Sequence, residues 1–327
     1  MLPRDSAGSF ELKEGTGAIT AMCPCGEFLE IYKIDKTFRI KTPESIDPER
    51  TNPNALWTAS PHSDVGSSNP IIARVLLQSH EILNAASFAS EVDKAAVTVH
   101  LHSCKEALIA SEVIAKRISA RIDQIIEKIK DEGVSKDDRG RGLNPFPQVQ
   151  ELDADCGTFL IQANRAIKII SELPRFFLTL DKQDSNFDRL GNRLEAALEK
   201  DAPIIQFIKA NAAYVSYLID LRNFHEHPKK QRRTIIDNFR LMPDSTIQTP
   251  QWHLSDGEPH PIKEEMLTTV AFLTNIAEGM LIHLVMHCLS KAFPYIILET
   301  PEDKLNMDNP IRYRLSIDFN KMNFPSK

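Results

Sequence analysis

Between residues 91 and 132 the apolar positions recur every seven residues. Leu101, Leu108, Ala115, Ile122 and Ile129 make one series, and Cys104, Ser111, Ile118 and Ile125 make a second. Two such series, offset by three positions, are the a and d rows of a helix that lies lengthwise against a partner over about four heptads. The partner is either another helix of the same chain or one from a second subunit. A chain built round such an element is expected to be mainly α-helical.

The remaining periodicity extends this reading. Asn69-Pro70 opens a helix over residues 69–89, with proline at a permitted first-turn position. A helix over 152–173 carries Cys156, Phe159, Ala163 and Ile167 on one side, and a shorter one follows over 187–200. Pro203 opens a helix with an apolar face of Ile204, Ile208, Val215, Leu218 and Leu221. Pro228 closes it, because proline disfavours helical geometry in the residue before it. The last long helix spans 262–293, with Val270, Leu273, Ala277, Met280, Leu284 and His287 as its stripe.

Period-two stretches interrupt the helices. Ile235, Asp237, Phe239 and Leu241, a turn at Pro243-Asp244-Ser245 and a return over 247–254 predict a β-hairpin at about 233–255. Tyr313, Leu315, Ile317 and Phe319 predict a strand at about 311–319. Near the start, Tyr32, Ile34, Phe38 and Ile40 suggest a strand pair, and the Pro-, Ser- and Asn-rich stretch 43–69 reads as an extended wrap. The expected division is an N-terminal extended or β region over 1–68 and a helical domain over 69–327.

A formal net charge of −6 argues against a protein that coats nucleic acid by bulk electrostatics, but leaves room for a local basic patch. The odd count of five cysteines argues against a disulfide framework and for a reducing cytoplasm. Met1-Leu2-Pro3-Arg4-Asp5-Ser6 has no apolar stretch of the signal-peptide kind. Residues 280–289, the most apolar segment, are too short for a membrane span and hold two histidines. No membrane association is expected.

The chemistry concentrates in Arg222-Asn223-Phe224-His225-Glu226-His227, where the helix opened by Pro203 ends. Asn223 and His227, four apart, share a helix face, and the long side chain of Arg222 can reach the same place. The last carbonyls of a helix favour a cationic imidazole. Arginine offers a permanent charge in a fork that fits phosphate oxygens. Lys229-Lys230-Gln231-Arg232-Arg233 follows at once, a polyanion footprint in an acidic protein. A plainer reading uses the same residues: Arg222 and Glu226 as a helix-surface ion pair of about 0.3–0.5 kcal/mol, with His227 capping the helix.

Arg222-Asn223 followed by three residues and His227, at the end of a helix, resembles the motif of the HEPN superfamily (higher eukaryotes and prokaryotes nucleotide-binding). The hairpin before the last long helix also resembles some bacterial HEPN proteins. The resemblance covers residues 70–290 and implies a helical bundle of the HEPN type with a small β-hairpin insertion and short terminal strands. It implies a metal-independent endoribonuclease, in a toxin–antitoxin or phage-defence setting, with two subunits pairing their motif helices and a protein antitoxin or regulator as a further partner. Arg222 would stabilise the phosphorane charge, His227 would act as general acid or base, and Asn223 would orient the phosphate or the histidine. His225 and Glu226 would be auxiliary, and Lys229, Lys230, Arg232 and Arg233 would hold RNA. The alternative is an inactive module of the same kind that binds nucleotide, nucleic acid or a protein.

Other candidates are thinner. Cys23-Pro24-Cys25-Gly26 resembles half of a zinc knuckle, but no second Cys pair follows at the usual spacing. His283 and His287 lie one turn apart without an evident third ligand. His100 and His102 are expected at the surface, and Asp137-Asp138 in a solvated loop. The expectation is no metal and no cofactor.

Overall fold

The computed structural model describes residues 4, 9–180 and 186–318. The start of the chain other than Arg4, and Phe319 of the expected last strand, lie outside the described residues. The chain forms two compact units that do not follow its order: residues 1–105, 172–183 and 277–327 make one, and 106–171 with 184–276 make the other.

A mainly helical bundle is not what forms. The protein is about 49% helix and 15% strand, with four small sheets, and is therefore mixed α/β. The first sheet is antiparallel, in the order β1 (Ala21–Pro24), β2 (Leu29–Tyr32), β3 (Thr37–Lys41), β4 (Thr58–Ser63). Its last strand lies inside the stretch read as an extended wrap. β4 pairs with β3 through a register shift, is largely exposed and carries Pro61, so neither alternation nor composition marks it. An edge strand tolerates proline because one side of its ladder is unpaired.

Pairing sorts the sheet into two chemical faces. Ile31 lies opposite Phe38 and Leu29 opposite Ile40, and these pack with Leu12, Trp57 and Ala59. Glu30 lies opposite both Cys23 and Arg39, and Tyr32 opposite Thr37, on the other face. Tyr32 thus points away from Phe38 and Ile40, and Ile34 belongs to the turn rather than to a strand. Gly66 presses against that turn: a Cβ there would stand 2.2 Å from the Lys33 carbonyl oxygen.

A one-turn helix α1 (Pro43–Ile46) follows β3, and a π-helical segment, Ile72–Leu77, leads into α2 (Gln78–Ala85). α3 (Lys94–Glu132) runs for 39 residues. Its heptad stripe is buried within the single chain at Leu101, Leu108, Ala115, Ile118 and Ile122. Ile125 and Ile129, near its end, are only half-buried. The stripe therefore finds its cover intramolecularly over most of its length.

In the first unit a second hairpin, β10 (Tyr295–Glu299) with β11 (Tyr313–Ile317), is tied to α2. The Gln78 side-chain oxygen accepts from the backbone N–H groups of Arg312 and Tyr313, each at 2.7 Å, while its Nε2 donates to Glu278 at 2.9 Å. The partner strand β10 was not expected; the long helix before it ends at Cys288, five residues short of expectation.

The second unit holds α4 (Leu152–Glu172) up to Ser171, α5 (Phe187–Ala197), α6 (Pro203–Glu226) and most of α7 (Ile262–Cys288); a 3-10 turn (Leu173–Phe176) follows α4 and belongs to the first unit. The hairpin at 233–255 is interrupted. β5 (Thr234–Asp237) pairs with β8 (Gln251–Leu254), which also pairs with β9 (His260–Pro261). β6 (Arg240–Leu241) and β7 (Ile247–Gln248) form a separate pair at the tip. Trp252 of β8 is fully buried against the ring of Phe159. By length and composition α7 could cross a bilayer, but 61% of its most apolar window is buried, the pattern of a core helix. His287 leaves the buried stripe and is exposed.

Candidate functional site

α6 ends where its sequence directs. Ile204, Ile205, Ile208, Ala212, Val215, Leu218 and Leu221 are buried at helical spacing, so successive turns stay on the core. His227, the residue before Pro228, leaves the helix at φ −130° and ψ 66°, while its N–H still donates to the Asn223 carbonyl at 2.8 Å. The Thr234 hydroxyl donates to the Leu221 carbonyl at 2.7 Å and fixes the start of β5 beside the last turn.

Arg222 is half-buried. Its Nη1 donates to Asn223 Oδ1 at 3.0 Å, and its Nη2 pairs with the Glu226 carboxylate one turn on. The ion pair of the plainer reading thus forms, between side chains 28% and 26% exposed. Its third donor differs: Arg222 Nε is buried and has no acceptor among the described residues. The cap is also only partly the one expected. The backbone of His227 closes the helix, whereas its exposed imidazole makes no hydrogen bond or ion pair among the described residues.

His225 turns to α4. Its Nε2 stands 3.5 Å from Asp153 Oδ1, and its ring rests on Gly157, where a Cβ would come within 2.6 Å of His225 Cε1. Only a residue without a side chain lets α4 approach the motif this closely. Neither Asp153 nor Gly157 stands out in the sequence, since each reads as an ordinary residue of an amphipathic helix.

The basic run is a turn. Lys229 N–H donates to the Arg232 carbonyl at 2.9 Å, and the Lys229 ammonium and Arg232 guanidinium lie over the Phe224 ring at 5.5 and 4.9 Å from its centroid. Arg232 is neutralised by Asp220 at 3.0 Å and Asp256 at 3.1 Å. Lys229, Lys230 and Arg233 are exposed and have no carboxylate partner among the described residues. Of the four expected RNA-binding cations, three are therefore available and Arg232 serves the fold.

Metal-ligating side chains gather elsewhere, in the first unit, where Cys25, Glu30 and His102 converge. His102 is buried rather than at the surface, and the His100 ring meets that of Phe176 at a tilt of 50°, with centroids 4.9 Å apart. Compared with family models, with curated proteins and with solved structures, the chain matches none. The site is accordingly read from its own residues.

Proposed function

We propose that the end of α6 and the turn after it form a metal-independent ribonuclease site. The observation that carries this reading is a pair of unengaged groups among the described residues: the exposed imidazole of His227 and the buried Nε–H of Arg222, close in sequence at one helix end. A buried donor without an acceptor costs about 1–3 kcal/mol, which a phosphate oxygen would recover. His227 takes the proton of the ribose 2′-OH or returns one to the leaving 5′-oxygen. The 2′-oxygen attacks phosphorus in line and a 2′,3′-cyclic phosphate results. Arg222 neutralises the charge on the phosphorane, Asn223 orients the guanidinium through its Oδ1, and Lys229, Lys230 and Arg233 track the backbone. Glu226 must release Arg222 for the phosphate to enter. The reading rests on the motif and its charges; it does not require a helical bundle. A homodimer that brings two motif helices together is part of the proposal.

One observation favours a second reading, an inert site that binds nucleotide or nucleic acid without cutting it: the Arg222–Glu226 ion pair already satisfies half of the guanidinium. Incubating the protein with RNA in excess EDTA and identifying the product ends separates the two. Cleavage with 2′,3′-cyclic phosphate ends supports the nuclease, and binding without cleavage supports the inert site.

A further inference from the structure

The first unit gathers soft and hard metal donors at one buried point, by a logic of pairing rather than of sequence spacing. β1 and β2 set Cys23 beside Glu30, and β2 and β3 set Glu30 beside Arg39. Cys25, two residues after Cys23, returns to the same face by the alternation of extended chain. His102 and Lys105, three apart on α3, share the helix face that meets it. Cys25 Sγ, a Glu30 carboxylate oxygen and a His102 ring nitrogen all lie within 4.8 Å of one another. The Cys25 thiol also donates to the Cys23 carbonyl oxygen at 3.5 Å. Cys23 and Glu30 are fully buried, Cys25 is 4% exposed and His102 8%.

We propose that Cys25, His102 and Glu30, completed by Cys23, bind a divalent cation of the zinc class in tetrahedral geometry.

Two thiolates, an imidazole and a carboxylate are the donors zinc selects over the hard alkaline-earth ions. In a tetrahedral site with metal–ligand bonds of about 2.0–2.3 Å the donor atoms stand roughly 3–4 Å apart, so a contraction of about 1 Å would close this set. The ion enters as M²⁺ and each thiol gives its proton to water. The cation and two thiolates sum to zero, so the buried region gains no net charge. The remaining partners hold the carboxylate in place: Lys105 Nζ at 2.9 Å, Arg39 Nε at 2.9 Å and the Tyr32 hydroxyl all donate to Glu30. A core-packing role would account for buried cysteines alone. It gives no reason for a histidine and a carboxylate 72 residues apart to meet them. The site is independent of the α6 reading.

The test uses the full chain, loaded with Co²⁺ or Zn²⁺, passed through gel filtration and assayed for metal and for cobalt absorption. The expected result is one equivalent per chain, with a thiolate-to-cobalt charge-transfer band and the ligand-field intensity of a tetrahedral ion. Cys25→Ser and His102→Ala should each weaken binding by more than about tenfold, whereas Cys288→Ser, a buried cysteine elsewhere in the unit, should leave it unchanged. Wild-type protein that takes up no cobalt, or takes it up without a thiolate band, overturns the proposal whether or not the variants fold. Binding unchanged in both ligand variants overturns it equally.

Discussion

Around Glu30 and around Arg222 the chain assembles charged side chains under opposite conditions. Glu30 is fully buried and accepts from Tyr32, Arg39, His102 and Lys105. Burial alone would raise its carboxyl, but the His102 hydrogen bond and the Lys105 charge outweigh burial and hold it well below the usual range. At the end of α6 the charges are half or fully exposed and only some are paired: Arg222 with Glu226 and Arg232 with two aspartates, while Lys229, Lys230 and Arg233 have no carboxylate partner among the described residues. The contrast shows what each region can spare. Buried charge is tolerated only when partnered, so the first cluster is bound up with stability. Exposed surplus charge costs little and stays available to a polyanion.

Substitutions can break this contrast. The largest effect is expected from Glu30→Gln, which removes the carboxylate charge that faces the buried Lys105, whose side chain is 3% exposed. Chemical denaturation in chelator should show a loss of about 3–5 kcal/mol; a loss below about 1 kcal/mol would mean that water reaches Lys105. Gly157→Ala comes next, because its Cβ would stand 2.6 Å from His225 Cε1. A cost of about 1–3 kcal/mol is expected from overpacking, and adding His225→Ala should recover most of it. Failure of that rescue would show that Gly157 serves the helix and not the motif. Charge reversal at Lys229, Lys230 or Arg233 should leave stability nearly unchanged while lowering the salt slope of RNA binding by about one per residue. The same change at Arg232 should instead disturb the fold, since Asp220 and Asp256 hold it. Glu226→Gln is the smallest in stability, about 0.3–0.5 kcal/mol. It releases Arg222 and should strengthen RNA binding; weaker binding would show Glu226 to be a contact and not a competitor.

Much of this was legible in residue order, and the failures share a cause. The heptads of α3 and the apolar face of α6 are local periodicities, and each element lies close to where its spacing sets it. β4 was illegible because an exposed edge strand with Pro61 needs no alternation. β10 was missed because five apolar-rich residues after a helix do not announce a pairing partner. These two strands, with the sheet of the first unit, are what turn an expected helical bundle into a mixed fold. At the motif, Arg222, Asn223 and His227 were visible as a spacing, but the packing of His225 on Gly157 arises from a contact with α4 that no local pattern encodes. Cys25 and His102 lie far apart in the sequence, and only strand pairing and helix docking bring them together.

The most direct test compares wild-type protein with Arg222→Ala and His227→Ala, each shown to retain the wild-type far-ultraviolet spectrum and melting behaviour, on one defined RNA in excess EDTA. The account predicts cleavage by wild type to 2′,3′-cyclic phosphate ends, reduced by about a hundredfold or more in both variants. Cleavage that survives both substitutions, or RNA bound but never cut by wild type, would contradict it.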